Sequence, residues 1–220
     1  MKIAGFLQDN NVDLVISDIM MPEMGGVELL TVIRDNVSFS HIPVIMLTAL
    51  DNNESRILSL DRGADAYIEK PFSIEYLLTQ ISNLLEKRQS VKNAFIHETN
   101  LQIDALELSE VDRNLMNKID NIIDENIGNH KFNIDTLAAE INMSRSSFHR
   151  KVKGMLNLTP NDYLRLYRLK RAAQMMQSRN YIIKEVAQKT GFTSMSYFSK
   201  VFQSQFGISP REYVRNLKKQ

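Results

Sequence analysis

Along the first ninety residues, short apolar runs alternate with stretches whose apolar positions recur at helical spacing. Asp13-Leu-Val-Ile-Ser17 and Ile42-Pro-Val-Ile-Met-Leu47 are continuous apolar runs, and Asp65-Ala-Tyr-Ile-Glu69 is a weaker third. Runs of this length, apolar on both faces, are what buried parallel strands require. Between them Val27, Leu29, Leu30 and Ile33, then Ile57, Leu58 and Leu60, fall on helical faces. After Pro71 a last helix carries Ile74, Leu77, Leu78, Ile81, Leu84 and Leu85 on one stripe. Strands that alternate with helices predict a parallel sheet with crossover helices.

Beyond residue 112 the strand pattern disappears. Leu115, Ile119, Ile122, Ile123 and Ile127 form one helical stripe, closed by Gly128-Asn129. A short helix follows over 132–141, capped near Asn133 or Asp135. Asn142-Met143 makes a turn, and Ser144 opens a basic helix from Arg145 to Leu156. There Phe148 and Val152 point inward, while Arg145, Ser146, His149, Arg150 and Lys153 lie on the other face. The pattern then recurs: a helix over 182–190, a Gly191-Phe192 turn, and Ser194 capping Met195 to Phe206. In this copy Phe198, Val201 and Phe202 face in, and Ser196, Ser199 and Lys200 face out. A helix from Pro160 to Met176 joins the two copies, with Tyr163, Leu164, Tyr167, Ala172 and Met175 for packing. The segment from Glu86 to Val111, without Gly or Pro and with weak periodicity, reads as a linker with short ordered pieces. The expected organisation is an α/β domain over 1–87, a linker over 88–111 and an all-α domain over 112–220.

Charge sharpens this division. The net charge of +1 conceals 10 basic against 21 acidic residues up to His130, and 17 against 5 from Lys131 onward. A strongly basic carboxyl half points to a polyanionic partner. A helix, a tight turn and a second helix with basic and small polar residues outward suits the major groove of double-stranded DNA, where Arg grips guanine and Lys secures phosphate. The chain has no cysteine, which excludes disulfides, thiolate metal sites and a Cys nucleophile. No stretch reaches the ~18 apolar residues of a membrane span, and no signal-peptide pattern is present, so a cytoplasmic location is expected. No glycine-rich phosphate loop, His/Cys cluster or nucleophile elbow occurs, and no independent enzymatic activity is expected.

In the α/β half, three polar residues fall at the carboxyl ends of the strands, where such sheets bind ligands: Asp18, Thr48 and Lys70. A carboxylate nucleophile, a hydroxyl and a cation converging there make a plausible phosphoryl site. DLVISDIMMPEMGG (13–26), IPVIMLTA (42–49) and GADAYIEKPF (63–72) together resemble the receiver domains of two-component response regulators. The resemblance implies a flavodoxin-like fold with Asp18 as phospho-acceptor, Thr48 as switch hydroxyl, Lys70 as phosphate-contacting lysine and Tyr67 as aromatic switch. It also implies Mg²⁺ bound by Asp18 and the backbone carbonyl of Met20. Only 17 residues precede Asp18. By the resemblance, the first strand, first helix and second strand are absent, together with the acidic pair that helps hold Mg²⁺. Asp9 and Asp13 do not replace that pair. The expectation is therefore a partial receiver made of the last three strands and their helices, with the strand at 13–17 left as an open apolar edge.

LAAEINMSRSSFHRKVK (137–153), RLKRAAQMM (168–176) and VAQKTGFTSMSYFSKVFQSQFGISPREY (186–213) resemble the DNA-binding domain of AraC-family regulators. That resemblance implies two helix-turn-helix units joined by a linker helix. Its base readers would be Ser146, His149 and Arg150, then Met195, Ser196, Ser199 and Lys200. Arg168, Lys170 and Arg171 would contact phosphates or pack the linker helix. The pairing of the two resembles the C-terminal part of hybrid two-component sensors. The expected function is sequence-specific transcription control by aspartyl phosphorylation, with an upstream histidine kinase (in the same polypeptide or another), RNA polymerase and a second copy of the chain as partners. The alternative is a constitutive DNA-binding fragment whose receiver remnant serves only as an interaction surface.

Overall fold

The computed structural model describes residues 2–49, 63–97, 108–177 and 182–217. The expected helix around Ile57, Leu58 and Leu60 lies outside the described residues. The chain divides into two compact units, the first comprising Met1–Lys92, Glu107–Leu115 and Ser146–Asn157, the second Asn93–Leu106, Met116–Arg145 and Leu158–Gln220.

In the first unit, α1 (Lys2–Asp9), β1 (Val15–Asp18), α2 (Gly26–Asp35), β2 (Val44–Ala49), β3 (Ala66–Lys70) and the first part of α3 (Ile74–His97) follow in order. The strands form a parallel sheet in the order β1-β2-β3, with Val15 beside Val44 and Ala49 beside Lys70. This is the partial receiver fold, with β1 at the edge of the described sheet. Each strand starts one or two residues later than the apolar runs suggested. The second cannot start at Ile42, because Pro43 has no N–H; its carbonyl accepts from Val15 at 2.8 Å instead. Leu7, Ile19, Leu29, Leu30, Ile33, Phe39, Ile42, Val44 and Met46 pack into one buried cluster.

α3 departs from the expected division in two ways. It continues through His97, ten residues into the segment read as a linker. Its apolar stripe is also only partly covered, with Ile74, Tyr76, Leu78 and Leu85 exposed. Helical periodicity records which face is apolar; burial also needs an apolar surface opposite it.

Arg34, in the last turn of α2, ties the amino-terminal end of the sheet together. Its guanidinium donates to the carbonyls of Gly63 (2.7 Å), Ser40 (3.0 Å) and Ile42 (2.9 Å), and to Asp65 Oδ2 (2.6 Å). Asp65 Oδ2 also accepts from the Val44 N–H at 2.7 Å.

The remaining helices are α4 (Glu110–Glu125), α5 (Ile134–Glu140), α6 (Arg145–Leu156), α7 (Pro160–Gln177), α8 (Ile183–Lys189), α9 (Met195–Phe206) and α10 (Pro210–Leu217). A repeat runs through them. The turn after α5 has Asn142 at φ 59°, and Met143 N–H donates to Ala138 O at 2.9 Å; after α8, Gly191 has φ 81° and Phe192 N–H donates to Ala187 O at 2.9 Å. Both are left-handed helix caps closed by a six-to-one bond. From Ser144 onward the correspondence holds at an offset of 50: LNLTPNDYLR (156–165) matches FGISPREYVR (206–215). Thr159 and Ser209 cap α7 and α10 alike, their hydroxyls accepting from the N–H groups of Asp162 (3.1 Å) and Glu212 (3.3 Å).

The second unit has its own core. Leu169, Ala172, Ala173, Met176, Val186, Ala187, Phe192, Phe198 and Phe202 form a buried cluster, with Phe206 tilted and Tyr213 edge-on against Phe202 at 4.5 and 5.4 Å between ring centroids. Beside it lies a polar contact between α4 and α7. Tyr163 Oη donates to Asp120, and Arg171 forms an ion pair with Asp124 and sits 5.8 Å over the Tyr167 ring. Burial is the largest influence on Asp120, raising its pKa to about 7 despite the Tyr163 hydroxyl.

The raised pKa has a measurable consequence. Unfolded, Asp120 has an ordinary carboxylate pKa; folded, it holds its proton to near neutrality. The folded state therefore carries the extra proton, and stability falls as pH rises from about 4 through 7. Thermal unfolding across this range should show that decline, and Asp120→Asn should flatten it; an unchanged slope in the variant would assign the pH dependence elsewhere.

Candidate phosphoryl site and DNA-reading helices

Because the strands are parallel and in register, Asp18, Thr48 and Lys70 come out at neighbouring carboxyl ends of β1, β2 and β3. Lys70 Nζ is ion-paired with Asp18 Oδ2. That hydrogen bond is the main reason the Asp18 carboxyl is held below the usual carboxylate range; the backbone N–H of Met20 contributes at 3.3 Å from Oδ1. Asp18 is thus held as a carboxylate beside a cation, the arrangement a phosphoryl site would need. Thr48 is 4% exposed, and its hydroxyl donates to the Ala49 carbonyl at 3.2 Å. Tyr67 is partly buried and packs against the cluster of the first unit, while Tyr67 and Thr48 also line a shallow depression with Pro71 and Tyr76.

The loop after β1 folds back on Asp18 through Gly26, whose N–H donates to Ile19 O at 2.9 Å. A Cβ on Gly26 would lie 2.1 Å from the Asp18 carbonyl oxygen, so α2 can start this close to β1 only with glycine there.

The donor set for Mg²⁺ is sparse among the described residues. The ion is commonly held by one or two carboxylates, with waters and phosphate oxygens completing its octahedron; here Asp18 offers one carboxylate, already ion-paired with Lys70. Among the described residues no group of three or more His, Cys, Asp or Glu side chains could hold a metal ion.

The helices that follow the two capped turns present the charges expected of them. On α6, Arg145, Ser146, His149 and Lys153 are exposed and Arg150 is partly so; on α9, Met195, Ser196 and Lys200 are exposed and Ser199 partly so. At the offset of 50, Ser146, His149 and Arg150 correspond to Ser196, Ser199 and Lys200. Asn133 Oδ1 caps α5 by accepting from Asp135 and Thr136 N–H at 2.9 and 3.1 Å, and the Ser194 hydroxyl caps α9 by accepting from Tyr197 N–H at 3.3 Å.

Residues 168–171 are engaged in packing. Arg168 donates to Asn129 O at 2.9 Å, Arg171 pairs with Asp124, and Lys170 is fully buried. Two residues escaped the sequence pattern. Tyr197 is 49% exposed beside Ser196. Lys151 is fully buried. Its spacing from Phe148, Val152 and Met155 was the available signal, since it shares their stripe.

Comparison with known proteins adds the following. Residues 2–82 match the family described as Response regulator receiver domain, and residues 137–216 match the family described as Helix-turn-helix domain. The chain is 36% identical to the protein named Histidine kinase P4 of Formosa agariphila, over 100% of this chain and 16% of that one. It is 27% identical to the Transcriptional regulatory protein HptR of Staphylococcus aureus, over 99% of this chain and 85% of that one. A crystal structure of a DNA-binding transcriptional dual regulator from Escherichia coli K-12 is 29% identical, covering 47% of this chain and 91% of that chain with a TM-score of 0.44.

Gly26→Ala should destabilise the first unit by about 1–3 kcal/mol, the usual cost of overpacking a close contact. A shift of the urea midpoint at unchanged slope would show it, and a neutral effect would mean that the turn after β1 is free to move.

Proposed function

From the premise that this chain joins a response regulator receiver segment to an AraC-type helix-turn-helix domain, we propose that it controls transcription by binding specific double-stranded DNA under the influence of aspartyl phosphorylation. The observation that carries the reading is the repeat itself. Two capped turns of the same geometry each lead into a helix with basic and small polar residues exposed, and the two helices are linked through the 18-residue α7. Ser146, His149 and Arg150 on α6, with Met195, Ser196, Ser199 and Lys200 on α9, are assigned to base edges. Arg145 and Lys153 are assigned to phosphates.

At the receiver, an Asp18 carboxylate oxygen would attack the phosphoryl group carried on a kinase histidine, forming a P–O bond as the P–N bond breaks and the imidazole leaves. The new acyl phosphate would carry about −1.5 to −2 charge if it titrates like other phosphates. Lys70 would exchange its carboxylate partner for the phosphoryl oxygens, and Thr48 would turn its hydroxyl toward them. Tyr67 would follow by turning further inward. RNA polymerase and a second copy of the chain are the proposed partners of the active form. The protein works in the cytoplasm, where DNA and polymerase are, and carries no separate enzymatic activity.

A second reading rests on the sparse donor set for Mg²⁺. If this chain cannot assemble a phosphorylation site, it binds DNA constitutively and the receiver segment acts as a surface for partners. The chain spans 16% of the length of the Formosa kinase and 85% of that of HptR.

Binding of the purified chain to random and selected duplexes across salt concentrations, with and without acetyl phosphate and Mg²⁺, separates the two. Selective, salt-dependent binding that tightens with the phosphodonor supports phosphorylation control, and Asp18→Asn should then remove the response. Selective binding indifferent to the phosphodonor supports the constitutive reading. In either case Arg150→Ala should cost about 1–3 kcal/mol in affinity and relax specificity at one base pair; unchanged binding would remove Arg150 from the base-reading set.

A further inference from the structure

Within the second unit, the loop after α4 and the turn after α8 meet backbone to backbone. A Cβ on Gly191 would lie 2.7 Å from the Ile127 carbonyl oxygen, and one on Gly128 would lie 3.2 Å from that of Lys189. Each segment thus carries glycine where a carbonyl of the other approaches. Backbone conformation alone does not ask for glycine at 191. The matching turn after α5 adopts the same left-handed region with Asn142, at φ 59° against 81°, and asparagine is tolerated there. The demand for glycine comes from the neighbours.

The third participant is Arg168, in the middle of α7. Its Nη2 donates to the Asn129 carbonyl at 2.9 Å, and a Cβ on Gly191 would lie 2.8 Å from its Cζ and 3.0 Å from its Nε. The guanidinium therefore lies against the Gly191 backbone while it holds the loop after α4. Its Nε is buried without a hydrogen-bond partner, and an unmatched buried donor costs free energy. Stability alone would favour an apolar side chain there. Arginine adds reach and a rigid plane, and touches two loops at once from a helix that belongs to neither. The turn it touches leads straight into α9. Thr190 Oγ1 donates to Val186 O at 2.8 Å, Gly191 N–H donates to Gln188 O at 3.0 Å, and Ser194 caps α9 three residues later.

We infer that Arg168 is a positioning residue: with Gly128 and Gly191 it clamps the turn before α9 to the loop after α4, and so fixes where the second reading helix starts. The inference rests on the reading of α9 as a DNA-reading helix. Without the clamp, α8 and α9 remain joined to α7 through the apolar cluster of this unit. Apolar contact resists separation but is non-directional, so it resists rocking less well. The clamp supplies the missing direction. A firmly placed α9 suits one distance along the duplex between its own bases and those read elsewhere in the protein, whereas a rocking α9 is nearly as good at neighbouring distances. Arg168 therefore acts on the spacing of the two halves of a site and leaves the identity of each base to the exposed faces of the helices.

Two variants of the full chain test this. Arg168→Met keeps an unbranched stem and removes the fork; Gly191→Asn keeps a residue suited to positive φ and puts a side chain into the contact. Each is compared with the unaltered chain on a duplex selected by that chain, and on duplexes with one base pair inserted at the middle of the site. One inserted pair moves the halves apart by about 3.4 Å and turns them by about 35°. The unaltered chain is expected to lose at least about tenfold in affinity on insertion, comparable to a mismatched base pair, and both variants less than about threefold. Equal insertion penalties in variants and unaltered chain, whatever the absolute affinity, would overturn the inference, as would an unaltered chain that tolerates the insertion. A second measurement needs no DNA. The chain has no native cysteine, so spin labels can be placed at Lys131→Cys and Gln188→Cys, both exposed positions. The distance distribution between them is expected to broaden when Arg168→Met is added, and an unchanged width would also overturn the clamp. If the distribution broadens but the unaltered chain binds no duplex, the reading of α9 is what fails, and the effect on spacing falls with it.

Discussion

A guanidinium has five N–H donors in a fixed plane, and burying it requires acceptors laid out to match. Arg34 meets that demand with four oxygens from two separate stretches of chain: the loop after α2, and the turn that carries the Gly63 carbonyl and the Asp65 carboxylate. The positions of the Asn36–Ile42 loop, the first residue of β2 and the approach to β3 are all set by this one side chain. Strand register follows from those starting points, and the convergence of Asp18, Thr48 and Lys70 follows from the register. The same side chain fixes Ser40, so the two ends of the sheet depend on it for different reasons. At the carboxyl end it aligns a nucleophile with a cation. At the amino end it holds the loop whose Ser40 hydroxyl accepts from Lys151.

The helix-turn-helix copies show how one pattern can be held by different chemistry. In the second copy the inward stripe of α9 is Phe198, Val201 and Phe202, all set against an aromatic core. In the first copy the same stripe is Phe148, Lys151 and Val152. Replacing valine by lysine removes an apolar contact and adds a charge whose burial is tolerated only with close partners, here Asp112 at 2.5 Å and Ser40 at 2.6 Å. A buried ion pair contributes little net stability compared with apolar packing, but it makes one arrangement much better than its near neighbours.

What could be read from the residues was what depends on neighbours in the chain. The three strands, the helical stripes, both capped turns and the outward residues of α6 and α9 follow from periodicities of two to four residues and from Asn, Gly, Ser and Pro at fixed offsets. The α/β half could be recognised as the end of a receiver because Asp18, Thr48 and Lys70 stand at strand ends within conspicuous local motifs. What stayed hidden needed distant partners. Ser40 and Lys151 are 111 positions apart and Arg34 and Asp65 31 apart, and nothing local announces either pair. The partner of Asp120 is Tyr163, 43 positions later. The stripe of α3 was legible as apolar, but how much of it would be covered was not.

The continuity of α7 has a kinetic consequence. A helix of 18 residues is about 27 Å long and loses little entropy when its ends are fixed in space. If α6 and α9 both read DNA as proposed, the first engagement turns the second from a diffusional search into a tethered one at high effective concentration. The length and stiffness of α7 then bear on how long the protein remains at a site more than on how often it arrives.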